Sequence, residues 1–370
     1  MPGKQKIRTP EKKNKIDYVF LIAVMSLLCY GLIMVFSASS ANAHYRYNDA
    51  YYFIKRQAIW AVVGVAIMFV ASRIPYDFLY KNALKILAVS VVLLIAVPFV
   101  GVSANGAKRW LGFGAVTFQP SEVAKFAIIV FLARSLSVNK DALRDFTKGF
   151  LPYVAIIGIV AFLVVIEPHL SGAIVIALTG FIVLWAAGAK VSHFVAVGLP
   201  ALCAAVALML SADYRLERVT TFLDPFKNTS DDGWQVVQSL YAIGSGGFFG
   251  LGLGQSRQKF LYLPEPQNDF IFSVICEELG FIGAALVIAL FTLLIWRGVR
   301  IAINAPNKFA SLLVIGIMGL IAIQVIINIA VVTSSVPATG MPLPFFSYGG
   351  SSLVFILGEM GVVLSISRET

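Results

Sequence analysis

Phe270-Ile-Phe-Ser-Val-Ile-Cys-Glu-Glu-Leu-Gly-Phe-Ile-Gly-Ala-Ala-Leu-Val-Ile-Ala-Leu-Phe-Thr-Leu-Leu-Ile-Trp296 is long and apolar enough to cross hydrocarbon as a helix, which takes about 20 residues for roughly 30 Å. Similar windows recur along the whole chain, at about 17–38, 57–72, 84–101, 120–136, 150–166, 171–188, 191–211, 309–333 and 345–366. The 370 residues are 59% hydrophobic and only 13% charged, whereas soluble domains are about 45 to 50% apolar. The expected fold class is therefore an all-α polytopic membrane protein with about ten transmembrane helices. Only Gly188-Ala-Lys190 separates the sixth and seventh windows, which suits a tight turn or one broken helix equally.

The formal charge of +10 would suit nucleic acid, but its distribution does not. Basic residues crowd the segment before Ile16 and residues 73–85, 134–148 and 297–308, while the short outer loops hold only Arg46, Lys55, Arg56, Lys108 and Arg109. The positive-inside rule counts short loops and puts both termini in the cytoplasm. Residues 1–16 read as a basic cytoplasmic segment and 17–370 as one integral membrane domain. The basic start and Ala41-Asn-Ala43 look like a signal peptide, but the apolar stretch between them is too long, so an uncleaved first span is expected. Cys29, Cys203 and Cys276 all fall inside windows, as free thiols do.

One connection stands apart. Residues 212–268, between the seventh and eighth spans, form a long extracytoplasmic loop. Within it Trp234-Gln-Val-Val-Gln-Ser-Leu-Tyr-Ala-Ile243 has helical apolar spacing and Gly244-Ser-Gly-Gly247 follows as a stop. The glycines continue to Gln255-Ser-Arg257, a run whose N–H groups suit either a phosphate cradle with Arg257 and Lys259 or a flexible connector.

Polar residues at membrane depth are costly and tend to mark function. Asp269 is an unpaired acid where the long loop meets the eighth span. Glu122 and Lys125, three apart, share a helix face in the fourth; they read either as a structural ion pair or as part of a site. Lys108-Arg109-Trp110 suits an anionic headgroup or pyrophosphate. Glu167-Pro-His-Leu-Ser171 joins spans five and six, and three scattered histidines make a histidine-built metal site improbable. Pro337 to Ser352 carries prolines and glycines that force irregular backbone, tolerable at this depth only if buried or lining a cavity.

These stretches resemble a family. Lys108-Arg-Trp110, Phe118-Gln-Pro-Ser-Glu122, Phe222-Leu-Asp-Pro225, Ile243-Gly-Ser-Gly-Gly247, Gly252-Leu-Gly-Gln-Ser-Arg257, Leu263-Pro-Glu-Pro266, Asp269-Phe-Ile-Phe272, Glu277-Glu-Leu-Gly280 and Pro342-Leu-Pro-Phe-Phe-Ser-Tyr-Gly-Gly-Ser351 are together similar to the SEDS family of shape, elongation, division and sporulation proteins, leaning to its division or sporulation branch. The resemblance implies a ten-span peptidoglycan glycosyltransferase of the bacterial cytoplasmic membrane that polymerises lipid II at the extracytoplasmic face. It also implies a class B penicillin-binding transpeptidase as partner, along with other divisome or elongasome membrane proteins, and no nucleic acid. Asp269 takes the position of the essential acid, and Glu122 and Lys125 map to the family's pair. The chain departs from the pattern at His169, Ser171 and Gln267.

As the catalytic reading has it, Asp269 is the general base. Glu122, Lys125, Lys108, Arg109, Arg257 and Ser347 bind substrate or supply electrostatic support, and no protein metal site is expected. The cofactor is open, with a divalent cation (Mg or Mn) at the pyrophosphate as the candidate. A lipid II flippase and a non-catalytic divisome scaffold are the competing readings.

Overall fold

The computed structural model describes residues 15–104, 107–113, 116–138, 142–210, 222, 224–226, 232–260 and 262–370. The basic start before Lys15 and Leu223 of the Phe222-Leu-Asp-Pro225 motif lie outside the described residues. Each apolar window becomes a helix: α1 Tyr18–Tyr47, α2 Tyr52–Ala71, α3 Asp77–Val100, α4 Pro120–Val138, α5 Leu151–Ile166, α6 Leu170–Ala186 and α7 Val191–Leu210. After the long loop, which holds α8 (Asp232–Gly246), come α9 Ile271–Ile303, α10 Lys308–Val332 and α11 Gly350–Ser367. Helices α1 to α4 and α9 outrun their windows because hydropathy stops at the first polar residues, whereas backbone hydrogen bonding continues to the caps.

Among the described residues seven helices, namely α1, α2, α3, α5 with its preceding π-turn, α9, α10 and α11, are long and apolar enough to cross a membrane. Of the other three windows, α4 carries Glu122, Lys125 and Arg134, α6 has 17 residues, and in α7 the apolar stretch Val191–Ala201 counts as a shorter helix. A turn with Gly188 at φ 106 separates α6 from α7, so the sixth and seventh windows are two helices.

The sequence pattern gives no hint of the small antiparallel sheet between α3 and α4, formed by β1 Val102–Ala104, β2 Ala107–Phe113 and β3 Val116–Phe118. It places Lys108 and Arg109 on a strand, where neighbouring side chains point to opposite faces.

Inside the bundle, α10 packs on α4, α6 and α9, and α11 runs along α2. One end is tied by polar contacts. Asp17 caps α1 by accepting from the Phe20 N–H at 3.0 Å, and its carboxylate pairs with Arg297 of α9 at 2.8 Å. The Asp17 N–H meets the Ser367 hydroxyl at 3.2 Å, and Tyr76 donates to Glu369 at 2.9 Å. Both ends of the described chain therefore lie at one face. Asp269 precedes α9, whereas Arg297 sits near that helix's other end, so Asp269 belongs to the opposite face.

Helix α9 is broken at Gly280, with φ 64 and ψ −161, a conformation open essentially to glycine alone. The run after α8 repairs the break. The N–H groups of Leu251 and Gly252 donate to the carbonyls of Glu277 and Glu278 at 2.9 Å each, and the Phe281 N–H donates to Gly247 at 2.9 Å. The two segments cross so closely that a Cβ at position 280 would lie 2.4 Å from the Gly250 nitrogen. Gly280→Ala combines backbone strain with overpacking, and it is expected to cost about 2–4 kcal/mol, read as a lowered thermal unfolding midpoint in detergent.

Candidate active site

Two irregular loops meet at the Asp269 face, and buried side chains lock them together. Asn328 of α10, fully buried, donates at 2.7 Å to the Asp269 carbonyl and at 2.7 Å to that of Met341. The Ser347 hydroxyl donates to the Asn268 carbonyl and accepts from the Leu343 N–H, both at 2.8 Å. The Tyr348 N–H reaches the Gln267 carbonyl at 2.8 Å, and Gln57 of α2 accepts from the Gly349 N–H at 3.2 Å. Irregular backbone survives at membrane depth because these partners satisfy it. Ser347 thus holds the loop that carries Asp269, and both of these bonds are internal to the protein.

These hydrogen bonds use the Asp269 backbone and not its carboxyl, which is half-buried. Position 340 of the opposing loop is a glycine at φ 65, and a Cβ there would lie 3.4 Å from the Asp269 Oδ2. Burial raises the Asp269 pKa to about 6; Glu265 adds to the rise and Arg109 opposes it.

Arg109 of β2 is the hub of the charges. Its guanidinium donates to the Pro168 carbonyl and acts electrostatically on Asp269, Glu167 and His169. Lys108, its strand neighbour, is exposed and faces away by strand alternation. Glu167 is 1% exposed, with neither carboxyl oxygen hydrogen-bonded among the described residues. Burial lifts its pKa to about 8 against the pull of Arg109. Burial, Arg109 and Lys125 depress His169 to about 3, so the imidazole is neutral. Ser171 donates to the Thr339 carbonyl, and the Gln267 side chain is buried. All three departures from the resembled pattern thus line or brace this face.

Glu122 and Lys125 form a buried ion pair at 2.7 Å, with the two residues 7% and 3% exposed. Lys125 acts on His169 on one side and on Glu359 of α11 on the other. A line of ionisable groups therefore leads inward from Asp269 through Arg109 and His169 to Lys125, Glu122 and Glu359. Glu359, 5% exposed, escapes the sequence reading, although the test that singles out Glu122 applies equally to a lone acid in the last span.

The charged groups that act on the Asp269 carboxyl are Glu265 and Arg109; Lys108, Lys125 and Arg257 are not among them. The Arg257 side chain is exposed, while its backbone N–H donates to Glu277 at 2.9 Å. Its neighbours belong to an anion cradle whose anions are the protein's own. Glu277 and Glu278 are fully buried. Glu277 accepts from the Ser256 hydroxyl and the Gln258 N–H. Glu278 accepts from the Ser37 hydroxyl, the Ser256 N–H and Lys259, the last an ion pair at 2.9 Å. The N–H groups of Gly250, Leu251, Gly252, Gln255, Ser256 and Arg257 are thereby spent inside the protein.

Residues 18–370 match a family model described as cell cycle protein, covering FtsW, RodA and SpoVE. The chain is 45% identical to stage V sporulation protein E of Bacillus subtilis over 359 residues, 96% of this chain and 98% of the relative. It is 41% identical to the probable peptidoglycan glycosyltransferase FtsW of Geobacter sulfurreducens over 358 residues, 96% of each. Among solved structures it resembles a chain from a peptidoglycan synthase complex with coordinated polymerization and crosslinking. That match has TM-score 0.82 and 28% identity, covering 95% of this chain and 98% of the other. It also resembles the rod shape determining protein RodA of Thermus thermophilus, at TM-score 0.70 and 28% identity over 95% and 97% of the two chains.

Proposed function

This chain belongs to the family of cell cycle proteins represented by FtsW, RodA and SpoVE, the SEDS family, and from that premise we infer that it is a multi-pass membrane peptidoglycan glycosyltransferase of division or sporulation. We propose that its substrate is lipid II, that its active site opens on the extracytoplasmic face, and that a class B penicillin-binding transpeptidase works beside it. One juxtaposition supports the residue assignment: a half-buried carboxyl of raised basicity faced by a guanidinium, at the end of the bundle opposite the termini.

In this mechanism the sugar hydroxyl of one lipid-linked disaccharide attacks the anomeric carbon of another. Asp269 takes the hydroxyl proton as the new C–O bond forms. The bond to the polyprenyl diphosphate breaks, and the diphosphate leaves with its electron pair, its charge met by Arg109. A single base and one displacement give inversion at the anomeric carbon. Lys125 and Glu122 act from deeper in the bundle, by setting the field around His169 and Arg109. No cluster of His, Cys, Asp and Glu able to hold a metal ion occurs among the described residues. A divalent cation, Mg or Mn, would take its ligands chiefly from the diphosphate and water, as Mg usually does.

The test is reconstitution of the purified chain with lipid II, alone and with a candidate transpeptidase. Glycan growth is the expected result. Transbilayer movement without growth would assign the protein to transport, and neither would leave a scaffold. Because the base must be unprotonated, the initial rate is expected to fall as pH drops through about 6, with the limb absent from any Asp269 variant.

A further inference from the structure

Glu265 lies between Pro264 and Pro266 at φ 45. An L-residue takes up that left-handed conformation at a cost, and a following proline also steers its predecessor toward extended backbone. Asparagine or glycine would relieve the strain. The contacts of Glu265 do little to offset it. Its Oε1 lies 3.6 Å from the exposed Arg46 guanidinium of α1, and exposed pairs of that kind contribute little. Its Oε2 accepts from the Asn268 side chain at 2.7 Å, and its carbonyl accepts from the Asn268 N–H at 3.0 Å. These bonds fix the Glu265 carboxylate within electrostatic reach of Asp269. Asn268 is itself held by Ser347, so the turn, the acid and the opposing loop form one braced unit.

We propose that Glu265 is a positioning residue for the reaction: its strained turn, tied through Asn268 to the loop that carries Asp269, fixes a second carboxylate beside the base. This rests on the assignment of Asp269 as the base. The charged groups facing Asp269 are Glu265, from its own loop, and Arg109, from β2. Helix α10 offers the neutral Asn328 to the Asp269 carbonyl, and the opposing loop offers Gly340. Glu265 is thus the one anion set against Arg109 there among the described residues, and removing its charge lets Arg109 dominate.

The test compares Glu265→Gln, Glu265→Asp and Glu265→Asn with the unsubstituted protein, purified and reconstituted with lipid II. The acid limb of the rate is expected to move down by up to about one pH unit in the Gln and Asn variants, as loss of a like charge requires. The plateau is expected to fall several-fold, since a weaker base transfers protons less well, while KM stays within about twofold. Glu265→Asp is expected to restore part of both. Glu265→Asn, which suits left-handed backbone, is expected to unfold at the same or a higher temperature while still losing rate, which a purely structural role would not produce. Infrared difference titration of the Asp269 carboxyl reads the same shift without turnover. An unchanged Asp269 midpoint in Glu265→Gln overturns the proposal, whatever the activity. A shifted midpoint in a protein that makes no glycan upholds the coupling and sinks the glycosyltransferase reading instead.

Discussion

Asp269→Ala is expected to lower lipid II polymerisation by about 10²- to 10⁴-fold, the usual worth of a positioned general base, while the protein purifies and inserts normally. The reason lies in how the loop is built. Asn328 holds the Asp269 carbonyl, Ser347 the Asn268 carbonyl and Tyr348 the Gln267 carbonyl, so the scaffold survives loss of the side chain. That side chain is a burden to folding. Its pKa is about 6, above the ordinary 3.8, so the folded state binds the proton more tightly than the unfolded one. Its contribution to stability is thus present below about pH 4 and is lost as pH rises through 6. The alanine variant is therefore expected to unfold at the same or a higher temperature at neutral pH, while its catalysis disappears. Asp269→Asn keeps the shape without the basicity and is expected to be equally inactive. Glycan synthesis within tenfold of normal by either variant would remove Asp269 from the chemistry.

Much of this arrangement is legible in the sequence, because the dominant signals are local. Ten apolar windows become ten helices since hydrocarbon demands helical backbone wherever a chain crosses it. The spacing of Trp234 to Ile243 likewise forecasts α8. Partners drawn from distant segments are not legible. The glycine-rich run has the chemistry of an anion cradle, but its anions, Glu277 and Glu278, come from the next helix, and the break at Gly280 that admits the run leaves no local hydrophobic signature. Lys108 and Arg109 read as a pair of cations until β2 turns them to opposite faces. Arg109 then stands out by its reach to Asp269, Glu167 and His169, all far from it in sequence.

Lys125→Ala is expected to cost about 3–5 kcal/mol of stability, because it strands a buried carboxylate. The pair with Glu122 is 2.7 Å long and almost sealed from solvent. Glu359 also acts on Lys125 and Glu122, so removing the ammonium leaves two buried acids facing each other with no cation between. Loss of activity in that variant would therefore say nothing about catalysis. The double variant Glu122→Gln, Lys125→Met separates the two roles. Replacing a buried ion pair by neutral groups of similar volume is often close to neutral for folding, so the unfolding midpoint is expected to recover. Glycan synthesis is expected to stay at least about tenfold down, as electrostatic support of a transition state would require, because the ammonium that acts on His169 beside Arg109 is gone. If polymerisation recovers along with stability, the pair only holds α4 in the bundle and the reaction runs on the Asp269 and Arg109 face alone.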